Sequence, residues 1–126
     1  MLARAQSYLT SFHWCQGISE RYVGVGIGGV LALFLFRLKD PGEVDEWLWV
    51  VEGDLPSAYF VVDEAATPAA ALSAYCELME DWANAVSAGL PLHNVFPVRA
   101  PATLENAQML QTRVAFMRRE IIPNLP

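Results

Sequence analysis

Three short stretches decide the fold: VLALFLFRL at residues 30–38, EWLWVVE at 46–52 and AYFVVD at 58–63. The first is apolar at nearly every position, which is typical of a strand covered on both faces. The other two are rich in Trp, Tyr, Phe and Val, the residues that favour strands. Turn-forming residues separate them, DPG at 40–42 and GDLPS at 53–57. Strands joined this closely are expected to pair as an antiparallel meander.

A fourth strand and three helices complete the pattern. Residues 22–27 supply the further strand, turning into the stretch at 30–38. Apolar residues at steps of three or four predict a helix from Leu2 to near Cys15. Two C-terminal helices follow the strands. One begins at the Thr67 N-cap and buries Leu72, Tyr75, Cys76, Met79, Trp82, Ala83 and Val86; the other begins at the Thr103 N-cap and buries Leu104, Ala107, Leu110, Val114, Met117 and Ile121.

The predicted fold class is therefore α+β. It has an antiparallel sheet of three to four strands, with an N-terminal helix and two C-terminal helices packed on it. At 126 residues, one domain over residues 1–126 is the natural organisation.

The composition is that of a folded domain. Apolar residues make up 54% of the chain and charged residues 17%, which excludes disordered and low-complexity classes. A chain of this length can form a core without disulfides or metals. Cys15 and Cys76 lack the dense spacing of secreted disulfide frameworks, and polar residues interrupt any secretory signal at the start. We therefore expect a cytoplasmic location.

One uncharged run, residues 22–36, raises the question of a membrane segment. It has fifteen residues, four of them glycine, and a spanning helix needs about 20 apolar residues. We expect strands here and no membrane association.

The sequence GVGIGG at residues 24–29 matches the dinucleotide-binding pattern G-x-G-x-x-G. In such sites a helix follows the glycines and presents its N-terminus to the pyrophosphate. Here a strand-like stretch follows instead. We therefore predict no dinucleotide cofactor, and expect closely packed backbone at these glycines.

His13, Cys15, Cys76 and His93 are residue types that bind metals or form Cys/His nucleophile pairs. Their spacing contains no Cys-x-x-Cys or His-x3-His unit, and Cys76 falls on the apolar stripe of its helix. The pattern predicts structural thiols, an exposed loop histidine at position 93 and no metal site.

Glu77, Glu80 and Asp81 share one helix face through spacings of three and four. Paired carboxylates can act as acid and base or hold a divalent cation. Because these three lie on the polar side of an amphipathic helix, a solvated face is the favoured interpretation, and a catalytic or metal site is the alternative.

Acidic residues are concentrated in the middle of the chain. Residues 40–98 contain eleven of the fourteen acids and no Lys or Arg, and the whole chain has a net charge of −6. Many of these acids stand at predicted strand ends, which places them around the rims of the sheet. Such a surface repels nucleic acid and anionic membranes and attracts cationic proteins; the alternative is charge that only keeps the protein in solution.

These observations favour a non-enzymatic, bacterial-type binding protein that captures a basic partner protein. Immunity proteins, which neutralise toxins, are similar in size and charge, and this analogy is compositional. Trp47 and Trp49 are candidate aromatic anchors. The predicted partner-binding residues are Asp40, Glu43, Asp45, Glu46, Trp47, Trp49, Asp54, Asp63, Glu64, Glu77, Glu80 and Asp81.

Two alternatives remain open at this stage. One is an enzyme or small-molecule-binding domain with a pocket between sheet and helices, using the region of His13 and Cys15 or the face of Glu77 and Glu80. The other is a structural homodimer formed through the apolar sheet.

Overall fold

The computed structural model describes residues 1–27, 31–42 and 45–125. The chain divides into two compact units, Met1–Ala71 and Leu72–Pro126, which are described in turn. The single-domain organisation stays a prediction.

The first unit contains a helix followed by a four-stranded antiparallel meander, in the spatial order of the sequence. Its elements are α1 (Leu2–Thr10), β1 (Ile18–Ile27), β2 (Leu31–Leu38), β3 (Trp47–Gly53) and β4 (Ala58–Val61). Helix α2 (Pro68–Ala88) begins at its end and continues into the second unit, which also holds α3 (Leu104–Phe116). The predicted α+β class, with one N-terminal and two C-terminal helices, is confirmed.

Helix α1 ends earlier than its apolar pattern predicts. The hydroxyl of Thr10 donates to the carbonyl of Gln6 at 2.8 Å, and that of Ser11 donates to the carbonyl of Tyr8 at 2.6 Å. Such side chains compete with the backbone for its hydrogen-bonding groups and so favour the end of a helix.

Strand β2 pairs with β1 on one side and β3 on the other, and it is buried on both faces, as its apolar run predicts. Ala32, Phe34, Phe36 and Leu38 face the core that α1 covers with Ala5 and Leu9. On the opposite face Leu31 and Leu33 are also buried. Each buried Leu or Phe side chain of β2 contributes roughly 1.5 to 3 kcal/mol, so β2 is the centre of the first unit.

The glycine-rich segment is part of the sheet. Gly24 and Gly26 lie within β1, and Gly28 and Gly29 fall outside the described residues. A Cβ atom at Gly24 would meet Cζ3 of Trp49 at 3.0 Å and the carbonyl oxygen of Leu33 at 3.3 Å. The expectation of closely packed backbone therefore holds at Gly24.

The second unit pairs α2 with α3. Arg118, in the π-helical turn Met117–Ile121 that continues α3, donates to Glu80 at 2.6 Å, and Gln111 donates to Asn84 at 3.2 Å. The earlier of the two α2 residues, Glu80, contacts the later residue of the partner segment, and Asn84 contacts the earlier one. The two helices therefore run antiparallel. The predicted stripes are buried with two exceptions: Leu104 is 56% exposed at the start of α3, and Val86 is half-buried.

Within the described part of the chain, no helix combines the length and apolar character that crossing a membrane requires. The uncharged run at 22–36 contributes to β1 and β2 instead.

Gly24 and Gly26 form a matched pair for testing the close approach in β1. Gly24→Ala should destabilise the protein by about 1 to 3 kcal/mol, because the new methyl group overpacks against Trp49 and a backbone carbonyl. Gly26→Ala should change stability by less than about 1 kcal/mol, since its nearest neighbour is Cγ1 of Val23 at 3.7 Å. Urea unfolding of both variants measures the difference, and equal losses would contradict the packing argument.

Leu110 and Met109 provide a second pair in α3. Leu110 is 5% exposed and Met109 is 50% exposed, although they are adjacent in sequence. Leu110→Ala should cost about 2 to 4 kcal/mol through cavity formation, whereas Met109→Ala should cost less than about 0.5 kcal/mol. Denaturant midpoints report both values; a Met109 loss as large as that of Leu110 would show that the stripe is wrongly assigned.

Candidate functional site

The meander brings two acidic segments to one end of the sheet. The β2–β3 connection and the chain that leaves β4 lie at this end, where the amide of Val62 donates to the carbonyl of Trp47 at 3.4 Å. We call the acids of these segments the acidic rim: Asp40, Asp45, Glu46, Asp63 and Glu64. All five are exposed. Glu43, predicted to belong with them, lies outside the described residues.

One member of the acidic rim is partly neutralised. The guanidinium of Arg37 donates to Glu46 at 2.6 Å and to Glu20 at 3.0 Å, and these bonds, that to Glu46 foremost, raise the pKa of Arg37. Among the described residues, no ion pair involves the other four rim carboxylates.

Aromatic rings lie beside the acidic rim. Cζ of Arg37 lies 5.7 Å from the centroid of the Trp47 ring, and the ring of Tyr22 lies 6.2 Å from the same indole. Trp47 is half-buried and Tyr22 is 50% exposed. The hydroxyl of Tyr22 donates to Glu20 at 3.2 Å, and this bond raises its pKa. We call these two rings, together with the Arg37 guanidinium that lies over Trp47, the aromatic patch: Tyr22, Arg37 and Trp47.

Sequence reasoning did not identify Tyr22 as a surface residue of interest. The available signal was the period of two in β1: Glu20 and Tyr22 lie on the same face, and the β1–β2 register places Glu20 opposite Arg37. That register depends on a bulge between Ile18 and Glu20, which the sequence does not reveal.

Trp49 belongs to the core. It is 5% exposed, and its indole N–H donates to the carbonyl of Ala65 at 2.7 Å. It therefore presents almost no surface to a partner, and of the two predicted tryptophan anchors Trp47 has the accessible ring.

Asp54 lies at the other end of the sheet, in the β3–β4 turn, and so does not join the acidic rim. Its neighbour Glu52 is buried on β3. The Glu52 carboxylate accepts from the hydroxyl of Ser57 at 2.5 Å and from the amide of Gly53 at 3.2 Å, with Nε of Arg4 at 4.0 Å. These contacts fix the turn to the sheet, which is a structural role.

The three predicted acids of the second unit differ in their surroundings. Glu80 accepts from the guanidinium of Arg118, and this bond raises the pKa of Arg118. Glu77 and Asp81, one turn apart on α2, are exposed. Of the three, Glu80 has a structural partner and the other two face water.

The cysteine and histidine residues differ in how far they are buried. Cys76 is fully buried, and burial raises its pKa to about 11. Cys15 is half-buried, and His13 and His93 are exposed. Within residues 1–27, 31–42 and 45–125, no group of three or more His, Cys, Asp or Glu is arranged to hold a metal ion.

A groove of about 570 Å³ lies in the second unit, between the C-terminal end of α2 and the loop that follows it. Its lining is mainly apolar, with Ala85, Ala88, Leu90 and Val95 among the residues that form it. Asp81 lines the same groove. It is a concave surface that the sequence did not predict.

No protein-family model matches this chain, and no match was found among curated proteins or among solved structures.

The two thiols should differ sharply in reactivity. At pH 8, a Cys15→Ala chain, whose one thiol is Cys76, should react with a disulfide reagent much more slowly than a Cys76→Ala chain, because Cys76 is fully buried and its burial raises the pKa of the thiol to about 11. In denaturant the rates should converge. Rapid labelling of native Cys76 would contradict its burial.

The raised pKa of Cys76 also fixes the sign of a pH effect. The folded state binds the Cys76 proton more tightly than the unfolded state. The contribution of this group to the free energy of unfolding is therefore fully present below pH about 9 and is lost as the pH rises toward about 11.

Proposed function

We propose that this chain is a non-enzymatic binding protein that captures a cationic partner protein through the acidic rim and the adjoining aromatic patch. One observation carries the proposal: the rim gathers five exposed carboxylates at one end of the sheet, and four of them have no ion pair within the described residues.

The charge of the acidic rim supports a role in the first encounter with a cationic partner. A surface of one charge sign raises the rate at which an oppositely charged partner collides in the correct orientation. The chain as a whole carries a net charge of −6, so its long-range field has the same sign as the rim. Both properties favour basic proteins over nucleic acids or anionic lipids.

The aromatic patch supplies binding affinity, to which exposed charges alone add little. Exposed rim charges contribute little to net affinity, whereas Trp, Tyr and Arg dominate the energetic centres of protein interfaces. Arg37 lies over Trp47 and is bonded to two carboxylates, so these side chains are ordered before a partner arrives. An ordered anchor loses less entropy on binding.

A cytoplasmic protein that neutralises a basic toxin, in the manner of a bacterial immunity protein, is the biological role in which this combination is most useful. Such a binder needs fast association with a cationic target and no chemistry of its own. This assignment rests on size, charge and the rim.

The decisive measurement is association kinetics with a partner captured on the immobilised chain, identified by mass spectrometry and then purified. Asp63→Asn with Glu64→Gln should lower the association rate by a factor of about three to ten at low salt. Raising the salt from 0.1 to 1 M, which shortens the Debye length from about 10 to about 3 Å, should remove most of that difference.

Glu105→Gln with Glu120→Gln is the matched control, because it removes the same net charge from acids outside the rim. Trp47→Ala should mainly raise the dissociation rate, as expected for an anchor. An acidic partner, or a control variant that slows association as much as the rim variant, would overturn the proposal.

A further inference from the structure

The groove at the end of α2 combines an apolar wall with acceptors for a cation. Leu90, 59% exposed, and Ala88 contribute apolar surface, and the exposed carboxylate of Asp81 stands in the lining. Asn94 also lines the groove. Among the described residues, Asp81 forms no ion pair.

The backbone adds negative potential at the other end of the groove, two turns along α2 from Asp81. Helix α2 ends at this groove, where Gly89 adopts φ +68° and the amide of Leu90 donates to the carbonyl of Ala85 at 2.8 Å. The C-terminal end of a helix carries the negative end of its macrodipole and favours cations. Helix α2 has no basic residue in its last turn to occupy that position.

We propose that this groove binds a lysine or arginine side chain of the partner protein. Such a side chain has an apolar stem and a charged head, so the stem packs along Ala85 and Ala88 while the head reaches Asp81. A lysine or arginine side chain matches both the apolar surface and the negative charge of the lining, whereas a neutral apolar group leaves Asp81 without a counter-charge. The source of the side chain rests on the proposed function, in which the partner is cationic.

Nuclear magnetic resonance tests the proposal on the whole chain with two small probes. N-acetyl-lysine methylamide carries the stem and the charge, and N-acetyl-norleucine methylamide carries a similar stem without charge. The lysine probe should shift amide signals of residues 81–95, and the norleucine probe should bind at least about two- to five-fold more weakly, the value of one exposed charge pair.

Three variants locate the site. Asp81→Asn should lower the affinity for the lysine probe about two- to five-fold. Ala88→Phe fills the groove from an exposed helix position, so it should abolish the signal shifts that the lysine probe causes. Glu77→Gln is the control, because this acid lies one turn earlier on the same helix and does not line the groove. Retained spectra show that each variant is folded.

The outcomes separate this inference from the proposed function. Equal affinity for both probes, equal effects of Asp81→Asn and Glu77→Gln, or shifts at residues 81–95 that depend on protein concentration alone, as a second copy would produce, each overturn the lysine site. If the lysine probe fails while rim variants still slow partner association, the groove proposal fails alone. If it binds while rim variants have no effect, the rim proposal fails alone.

Discussion

The burial of β2 on both faces is the constraint on which the first unit depends. An internal strand of this kind must have neighbours on both edges, since every backbone amide and carbonyl that it removes from water needs a partner. β1 and β3 provide those partners, while α1 covers one face with Ala5 and Leu9. The side chains of β2 thereby fix which residues of its neighbours face inward and which face solvent.

The surface chemistry follows from this arrangement. With β2 central, the meander places the β2–β3 connection and the chain after β4 at one end, and the acids on them become neighbours without being close in sequence. The same register brings Glu20 of β1 and Glu46, just before β3, to opposite sides of Arg37. One guanidinium therefore ties the edge strand to the acidic rim and positions the ring of Trp47.

The sequence predicts secondary-structure elements better than it predicts the tertiary surroundings of individual side chains. Apolar periodicity and strand-forming composition located the four strands and three α-helices of the described residues, because both are local properties of the chain. They misplaced two boundaries, since β1 begins at Ile18 and α1 ends at Thr10. Neither property could separate Trp47 from Trp49, which lie on the same face of β3, because the difference arises from Ala65, a residue sixteen positions later that accepts the indole N–H of Trp49. Nor could composition show that Arg37 and Arg118 would partly neutralise Glu46 and Glu80, since these pairs depend on tertiary contacts.

The strand order has a consequence for biosynthesis. Each strand of the sheet pairs with the strand synthesised immediately before or after it, so no strand waits for a distant segment to leave the ribosome. Short loops cost little closure entropy, and contacts between sequence neighbours favour rapid folding. The four strands are all available once Val61 has emerged, before α2 and α3 have left the ribosome. The edges of the apolar central strand are therefore paired early, which limits the interval in which they can pair with another nascent chain.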